Sequence, residues 1–201
     1  MKEPKRPYAL GKRLEQMDQC RAAILRAARA HLAEGGYRRL TMASLAADSG
    51  VTRQTVHNLF GTKTAVLEAL FDVMALEGGM EKMPEVMSQP STYAMLDRFV
   101  EVFCNFWSTD RLLLRRIHGI GAIDPEFGAV IATRNRRRLM AATRIAARIN
   151  HGQPSSQVAA ALAALTSFEF FDALVENSLD KQRAAVVVLD LARCLLKPKT
   201  T

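Results

Sequence analysis

The sequence predicts an all-α protein of about nine helices. Segments typical of strands are almost absent, alanine and leucine are abundant, and Gly or Pro punctuates windows in which apolar residues recur every three or four positions. These windows fall into an N-terminal group of short helices and a larger C-terminal group. We therefore expect an N-terminal three-helix domain followed by a C-terminal helical domain.

The N-terminal third contains residues typical of the starts and ends of several consecutive helices. An apolar stripe over 15–34 predicts the first helix, and Gly35-Gly36 ends it as a C-cap pair. Each later helix follows a threonine whose hydroxyl can cap free backbone N–H groups. The pairs of cap and helix are Thr41 with 42–48, Thr52 with 53–59, and Thr62 with 63–77. Gly50 supplies the sharp turn between the two short helices.

The rest of the chain is larger and less polar. Residues 80–90 are predicted as a loop or short helical piece, and the GIGAIDP segment at 119–125 as a turn. Asn150-His151-Gly152 is expected to close the longest helix, and Pro154 to open the next one. The helices predicted here cover 91–108, 110–118, 125–150, 154–177 and 180–196.

The basic charge is concentrated in the first third of the chain. Residues 1–64 hold 12 Lys/Arg against 5 Asp/Glu, whereas residues 65–201 hold 16 against 15. The resulting net charges are +7 and +1, within a total of +8. Such a local excess suits a polyanion or an anionic surface, and a merely solvated basic face is the alternative.

Cysteine use and hydropathy indicate a soluble, cytoplasmic protein. Cys20, Cys104 and Cys194 are far apart and odd in number, so buried thiols are expected rather than disulfides or a metal site. A signal peptide requires an apolar run after its charged start, and no such run follows the charged residues at the N-terminus. No apolar stretch reaches membrane-spanning length. We predict no membrane association, no metal and no cofactor.

The segment VTRQTVHNLF at 51–60 combines an apolar side with a polar side. Val56 and Phe60 lie four residues apart and can pack on one side of a short helix. Two short helices joined by a Gly-containing turn form a helix-turn-helix, whose second helix fits the DNA major groove. We therefore predict double-stranded DNA as a partner; a solvated amphipathic helix in an ordinary bundle is the alternative. The polar side carries Arg53, Gln54, Thr55, His57 and Asn58.

The run TMASLAADSGVTRQTVHNLFGTKTAVLEALFD, which begins at Thr41, resembles the DNA-binding region of the TetR family of one-component transcriptional regulators. The spacing of the family pattern holds without a gap, whereas the C-terminal part resembles the family only in length and helical rhythm. The matching positions are Thr41, Ala46, Gly50, Val51, Thr55, Phe60, Lys63 and Leu67. Conservative replacements stand at Leu45, Ser49, Thr52, Val56 and Thr62.

Three positions depart from the family pattern. Gln54 stands where the family most often has Gly, His57 replaces the usual Tyr, and Leu59 replaces a second Tyr. Gln54 adds a long amide at the groove-facing end of the helix, and His57 can still donate a hydrogen bond. We expect Gln54 and His57 to set the DNA preference of this protein.

The DNA-binding candidates divide into base readers and backbone contacts. Arg suits guanine, and Gln or Asn suits adenine, in bidentate pairs. Hydroxyls, free N–H groups and a cation at helix starts suit phosphates. The predicted base readers are Arg53, Gln54 and Asn58, the predicted backbone contacts are Thr41, Thr52, His57 and Lys63, and Ser44 and Thr55 complete the set.

These assignments divide the chain into three parts. We predict a basic arm over 1–13, a helix-turn-helix DNA-binding domain over 14–65, and an effector-binding and dimerisation domain over 66–201. The arm either reaches along phosphates or into a minor groove, or is a tail with no fixed contact.

Two apolar segments of the C-terminal part predict a homodimer. Residues 157–165, QVAAALAAL, combine leucines with alanines that let helices approach closely. Two such helices from each chain would form a four-helix interface, as the resemblance implies, and a two-fold dimer suits a palindromic operator. The alternative is that both helices close the core of the monomer. The last helix carries Ala184, Val187, Val188, Leu191 and Leu195 along one face.

The resemblance also implies a pocket for a small-molecule effector among the C-terminal helices. Clustered aromatic residues could line an adaptable, partly apolar cavity. His118, near Arg115 and Arg116, could bind an acidic or polar group, and a satisfied or solvent-facing histidine is the alternative. The four arginines within 134–138 are expected to form a solvated face, and pairing of these arginines with carboxylates is the alternative. The ligand-binding candidates are Phe103, Trp107, His118, Phe127, Phe168 and Phe171, and ordinary core packing would also explain each of them.

The sequence favours a sequence-specific transcriptional regulator, a repressor released from its operator by a small molecule. A helical enzyme is one alternative, but the histidines form no H-E-x-x-H array, and no G-x-S-x-G, P-loop or G-x-G-x-x-G occurs. We therefore predict that the chain is not an enzyme. A basic protein that binds DNA or a membrane surface without sequence choice is the other alternative.

Overall fold

The computed structural model describes residues 6–149, 155–177 and 179–195. Within these ranges the protein is built from eleven α-helices and two short 3₁₀ helices, without a strand, which confirms the predicted all-α class. The α-helices are α1 Arg6–Ala33, α2 Met42–Ser49, α3 Arg53–Phe60, α4 Lys63–Glu77, α5 Met83–Met87, α6 Thr92–Ser108, α7 Arg111–Ile123, α8 Pro125–Ile149, α9 Ser156–Leu165, α10 Phe168–Glu176 and α11 Lys181–Cys194. The 3₁₀ helices are Tyr37–Arg39 and Met80–Lys82.

The helices form two compact units that divide between Phe71 and Asp72. The first unit contains α1, α2, α3 and the beginning of α4, and the second contains the end of α4 and the helices α5 to α11. This division lies within α4, close to the domain boundary predicted at residue 65. The DNA-binding and effector-binding roles given to the two domains remain predictions.

The first unit has a core to which each of its helices contributes. Ile24 and Ala28 of α1, Leu45 of α2, Val56 of α3 and Val66 of α4 are all 0 % exposed. Helix α1 packs against α2 and α3, and α2 packs against α3. Because burial of one Val, Leu or Ile side chain contributes about 1.5–3 kcal/mol, this core holds the short helices α2 and α3 in place.

Helix α1 begins earlier than the sequence predicts. Of the predicted basic arm, residues 6–13 are helical and form the first turns of α1. Pro7 is compatible with this, because the N–H groups of the first helical turn have no partner within the helix. Lys12 and Arg13 are exposed on this helix. Residues 1–5 of the arm lie outside the described residues.

Helix α7 continues through a segment predicted as a turn. The helix ends at Ile123, so most of GIGAIDP is helical and the predicted end at residue 118 is wrong. A glycine inside a helix costs only about 1 kcal/mol relative to alanine. The chain turns at Asp124, whose Oδ1 accepts the Phe127 N–H at 3.1 Å, and Pro125 begins α8. The Asp-Pro pair is therefore the operative stop signal.

The single helix predicted over 154–177 is two helices, α9 and α10, bent by 47°. Thr166 interrupts the helix: its hydroxyl donates to the Leu162 carbonyl at 2.8 Å, and its own carbonyl accepts the Trp107 Nε1–H at 3.0 Å. Ser167 then caps α10 by accepting the Phe170 N–H. The turn predicted at 150–152 and the helix start predicted at Pro154 lie outside the described residues.

The cysteine prediction is partly wrong. All three cysteines are free, but only Cys104 is buried, whereas Cys20 is partly buried and Cys194 is exposed. Burial raises the pKa of the Cys104 thiol to about 12, so this side chain behaves as a small apolar residue.

The helices of the described residues are too short or too polar to cross a membrane singly. Among these helices, only α9 and α10 taken together as a bent pair meet the criterion of length and hydropathy. A core helix pair of a folded protein meets it equally well, and Leu162, Phe168 and Phe171 of this pair are buried.

The close approach of Gly78 to α6 gives a stability prediction. A Cβ atom on Gly78 would lie 2.7 Å from both the Cα and the Cδ2 of Phe106, so Gly78→Ala should lower the free energy of unfolding by about 1–3 kcal/mol. Gly119 in α7 is the control, because a Cβ there meets nothing within 4 Å and Gly119→Ala should stabilise the helix by up to about 1 kcal/mol. Urea unfolding measures both; a Gly78→Ala protein as stable as wild type would contradict the close contact.

Candidate nucleic-acid interface

The start of α2 is fixed by a reciprocal pair of hydrogen bonds. The Thr41 hydroxyl accepts the Ser44 N–H at 3.0 Å, and the Ser44 hydroxyl accepts the Thr41 N–H at 3.0 Å, which makes a capping box. The Ser44 hydroxyl also donates to the Arg39 carbonyl at 2.8 Å. Ser44 therefore holds Thr41 in position, and the exposed Thr41 is the better placed of the two to meet a phosphate.

The turn between α2 and α3 depends on Gly50. Its backbone is left-handed, with φ 70° and ψ 21°, and its N–H reaches the Ala46 and Ala47 carbonyls. The Val51 N–H then bonds the Ala46 carbonyl at 3.1 Å. These bonds satisfy the last carbonyls of α2 and set the direction in which α3 leaves the turn.

Helix α3 has one buried side and one exposed side. Thr52 caps it by accepting the Thr55 N–H at 3.1 Å, and the two threonine hydroxyls lie 2.8 Å apart. Val56 is the fully buried anchor of the helix, whereas Val51, Leu59 and Phe60 are only partly buried. The exposed side chains are Arg53, Gln54, His57 and Asn58.

Two of the predicted base readers contact each other. The Gln54 Nε2 amide donates to Asn58 Oδ1 at 2.8 Å, four residues along the same face of α3. Gln54 Oε1 remains as an acceptor and Asn58 Nδ2 as a donor. The pair thus presents one acceptor and one donor edge, which is the combination that adenine N6 and N7 require.

A shallow concavity of about 300 Å³ lies on the exposed side of this unit. It is lined by Met42 from the start of α2 and by Arg53, Gln54 and His57 of α3. Two of the three positions that depart from the family pattern, Gln54 and His57, therefore share one surface with Arg53. The sequence gives no sign that Met42 belongs to it.

Lys63, predicted as a phosphate contact, stacks on an aromatic ring. Its Nζ atom lies 4.0 Å from the centroid of the Tyr37 ring, which holds the ammonium group at the start of α4. Arg21 of α1 makes a similar contact with Phe60 at the end of α3, with 4.8 Å between the guanidinium carbon and the ring centroid. Both cations are positioned by rings, which lowers the entropy cost of using them for binding.

A hydrogen bond between α1 and α2 was not predicted. His31 Nε2 lies 2.6 Å from Asp48 Oδ2, and the two residues are 17 positions apart. Nothing in the local sequence pairs them, because His31 is simply part of the apolar stripe of α1. Their contact links α2, the first helix of the helix-turn-helix, to α1.

Four of the predicted ligand-binding residues lie together in the second unit. The Trp107 ring centroid is 5.9 Å from that of Phe103, 5.6 Å from that of Phe168 and 6.0 Å from that of His118. We call these four residues the aromatic cluster; it joins α6, α7 and α10. Phe127 and Phe171 are fully buried elsewhere in the unit's core. The cluster is well packed, so core packing accounts for much of it.

His118 is hydrogen-bonded to a carboxylate of the fold, which agrees with the alternative of a satisfied histidine. His118 Nδ1 bonds Glu169 Oε1 at 2.8 Å, and this bond holds the pKa of Glu169 at about 2 despite partial burial. Arg115 binds Asp172 and Glu176 on α10 instead of assisting His118. Arg115 is thus neutralised within the fold.

The expectation of a solvated face for the four arginines within 134–138 holds for only two of them. Arg136 and Arg137 are exposed. Arg134 is paired with Asp72 at 2.7 Å, and Arg138 is partly buried. Helical periodicity explains the difference, since positions 134 and 138 lie four apart and share the inner face of α8.

Comparison with known proteins supports one family. Residues 24–70 match the family model described as bacterial regulatory proteins, tetR family. This range includes α2, α3 and every residue predicted to bind DNA. No curated protein matches the chain by sequence.

Solved structures share the fold along most of the chain. A Syntrophomonas wolfei protein assigned to the TetR-family transcriptional regulators has a TM-score of 0.73 at 17% identity, covering 92% of this chain and 98% of that chain. The SmeT–triclosan complex has a TM-score of 0.68 at 23% identity, with 90% and 96% covered. SmeT is the repressor of the Stenotrophomonas maltophilia multidrug efflux pump SmeDEF. The multidrug binding protein EbrR, complexed with imidazole, has a TM-score of 0.57 at 16% identity, with 85% and 93% covered.

The turn at Gly50 provides a test of how the helix-turn-helix is held. Gly50→Ala should lower the free energy of unfolding by about 1–2 kcal/mol, because an L side chain is strained in the left-handed conformation. Gly50→Asn should cost less, since asparagine tolerates that conformation best among the side-chain-bearing residues. The measurement is urea unfolding of both variants, and equal stability of the two would contradict a strained turn.

Proposed function

We propose that this chain, whose residues 24–70 match the model of the tetR family of bacterial regulatory proteins, is a homodimeric repressor that reads a palindromic operator through α3. In this proposal a small molecule bound in the second unit releases the protein from DNA. The match of residues 24–70 to a family of regulatory proteins supports a DNA-binding regulator rather than an enzyme.

The observation that carries the proposal is the exposed side of α3. Arg53, Gln54 and Asn58 are exposed on a helix whose opposite side is anchored by the fully buried Val56. A helix held in this way can enter a major groove without losing its fold. The net charge of +7 over residues 1–64 adds a sequence-independent attraction to phosphates.

We assign the groove contacts by side-chain chemistry. Arg53 would bind guanine, and the Gln54–Asn58 pair would bind adenine. Thr41, Thr52, His57 and Lys63 would contact the backbone, since the threonines lie at helix starts and the Lys63 ammonium is held over Tyr37. Ser44 and Thr55 would act mainly through the caps that they complete.

The proposed dimer interface uses the outward sides of α9 and α11. On α11, Ala184 and Val188 are buried within the chain itself, so part of the face predicted from sequence closes the core of the unit. Val186 and Leu191 remain exposed at 57% and 42%. Exposed branched residues on a terminal helix support a self-association surface.

Release by a small molecule is proposed from the second unit. The aromatic cluster offers apolar and polar groups together, and two structural neighbours, SmeT and EbrR, were solved with triclosan and with imidazole bound. An effector lowers operator affinity only if it binds the DNA-free state more tightly than the DNA-bound state. A coupling of 1–3 kcal/mol, which is typical of such regulators, changes affinity by about 5- to 150-fold.

A second candidate is DNA binding without sequence choice. The charge of residues 1–64 alone would support it. The two candidates differ in what happens when a base-reading side chain is removed, because non-specific binding does not use it.

Replacing Gln54 separates the candidates. Gln54→Ala should weaken binding to the operator by about 1–3 kcal/mol and leave binding to a scrambled duplex unchanged. Lys63→Ala is the contrast, since it should weaken both duplexes and reduce the salt slope by about one unit. Fluorescence anisotropy over a salt series measures both. Equal losses for Gln54→Ala on the two duplexes would remove Gln54 from the base readers.

The dimer is tested by a charge on its proposed surface. Sedimentation should show two protomers at micromolar concentration, and Val186→Glu should shift the protein towards the monomer because it places a charge in an apolar interface. Gln182→Glu adds a charge on the same helix at another exposed position and should leave the dimer intact. A wild-type monomer at micromolar concentration would contradict the interface.

A further inference from the structure

We infer that Arg138 anchors the carboxylate of an organic acid whose apolar part lies against the aromatic cluster. The inference rests on the proposed function, because it names the class of effector that the second unit binds. Four helices supply the site: Phe103 and Trp107 from α6, His118 from α7, Arg138 from α8, and Phe168 from α10. It adds Arg138 to the residues predicted from sequence.

Arg138 differs from the other inward-facing cations of its unit. Its Nε atom is buried and has no hydrogen-bond partner among the described residues, and no carboxylate there forms an ion pair with it. Its guanidinium carbon lies 5.9 Å from the centroid of the Phe103 ring. By contrast, Arg111 and Arg115 are paired with Asp172, and Arg134 is paired with Asp72. In those cases the fold supplies the carboxylate.

The one anionic group that acts on Arg138 is already engaged. Glu169 bonds His118 Nδ1 at 2.8 Å and exerts only a longer-range attraction on Arg138, with no ion pair between the two within 4.0 Å in the described part of the chain. Burial lowers the pKa of Arg138, which shows that its charge is partly desolvated. A desolvated cation with an unused donor lowers the stability of the fold unless a ligand accepts its hydrogen bond.

A carboxylate is the group that fits this cation. The Nε–H and one Nη–H of a guanidinium form a planar fork that matches the two oxygens of a carboxylate. The aromatic walls favour an apolar body next to that head, and a doubly charged phosphate would lose more hydration there. Glu169 is hydrogen-bonded to His118 and attracts Arg138 only at longer range, so it leaves the guanidinium fork open to a ligand.

The cluster contains its own reporter. Trp107 is the single tryptophan of the sequence, so its fluorescence reports binding directly and without DNA. Purified full-length protein is titrated with two matched pairs of probes, decanoate with decanol and phenylbutyrate with phenylbutanol. At least one carboxylate should bind saturably and about ten-fold or more tightly than its alcohol, as expected for one charge-assisted hydrogen-bonded pair.

The variants locate the anchor. Arg138→Met keeps the length and removes the fork, so it should abolish the preference for the carboxylate while leaving the alcohol's affinity unchanged. Arg138→Lys keeps the charge and removes the Nε donor, and it should retain only part of the preference. Arg137→Met, at an exposed position on the same helix, should behave as wild type. Circular dichroism checks that each variant is folded; if Arg138→Met is unfolded, Arg138→Lys decides.

The outcomes separate this inference from the proposed function. No saturable binding of either carboxylate, or a preference that survives in the folded Arg138 variants, would overturn the carboxylate site even if the protein binds an operator. Loss of the preference in those variants supports the site, and operator release by the same acid then supports its role as effector. Binding of the acid without operator release would leave the site standing and overturn the effector role.

Discussion

The proposed DNA-reading surface depends on the burial of one side of a helix that is too short to be stable by itself. Helices α2 and α3 have eight residues each, and isolated helices shorter than about 12–15 residues are marginal in water. Their persistence comes from the core that Val56 and Leu45 form with α1, together with the caps at Thr41 and Thr52. Because that core fixes α3, its exposed polar side chains keep a constant geometry that a groove can recognise.

The N-terminal unit was largely predictable because its signals are local. A threonine three residues before the N–H that it caps, or a glycine in a left-handed turn, is visible in the sequence, and the observed bounds of α2, α3 and α4 differ from the predicted ones by no more than a residue or so. The contacts among these helices were not predictable in the same way. The His31–Asp48 pair and the stacking of Lys63 on Tyr37 join residues that only the folded chain brings together.

The C-terminal unit shows where local signals fail. The break between α9 and α10 carries no Gly or Pro; it coincides with a carbonyl that accepts the indole N–H of Trp107, 59 residues away. The arginines of α8 look alike in sequence, yet Arg134 forms an ion pair with Asp72, while Arg138 forms none with a carboxylate of the described residues. Which cations are neutralised within the fold is a property of tertiary packing, and so is the candidate ligand site.

We propose that residues 24–70 hold a helix that reads base sequence in duplex DNA. This is tested by footprinting the purified protein on the DNA that flanks its own coding region, with a scrambled duplex of the same length at the same salt concentration as the control. We expect a protected site with two-fold symmetric halves about one helical turn or more apart. Uniform, salt-sensitive protection of both duplexes would contradict it.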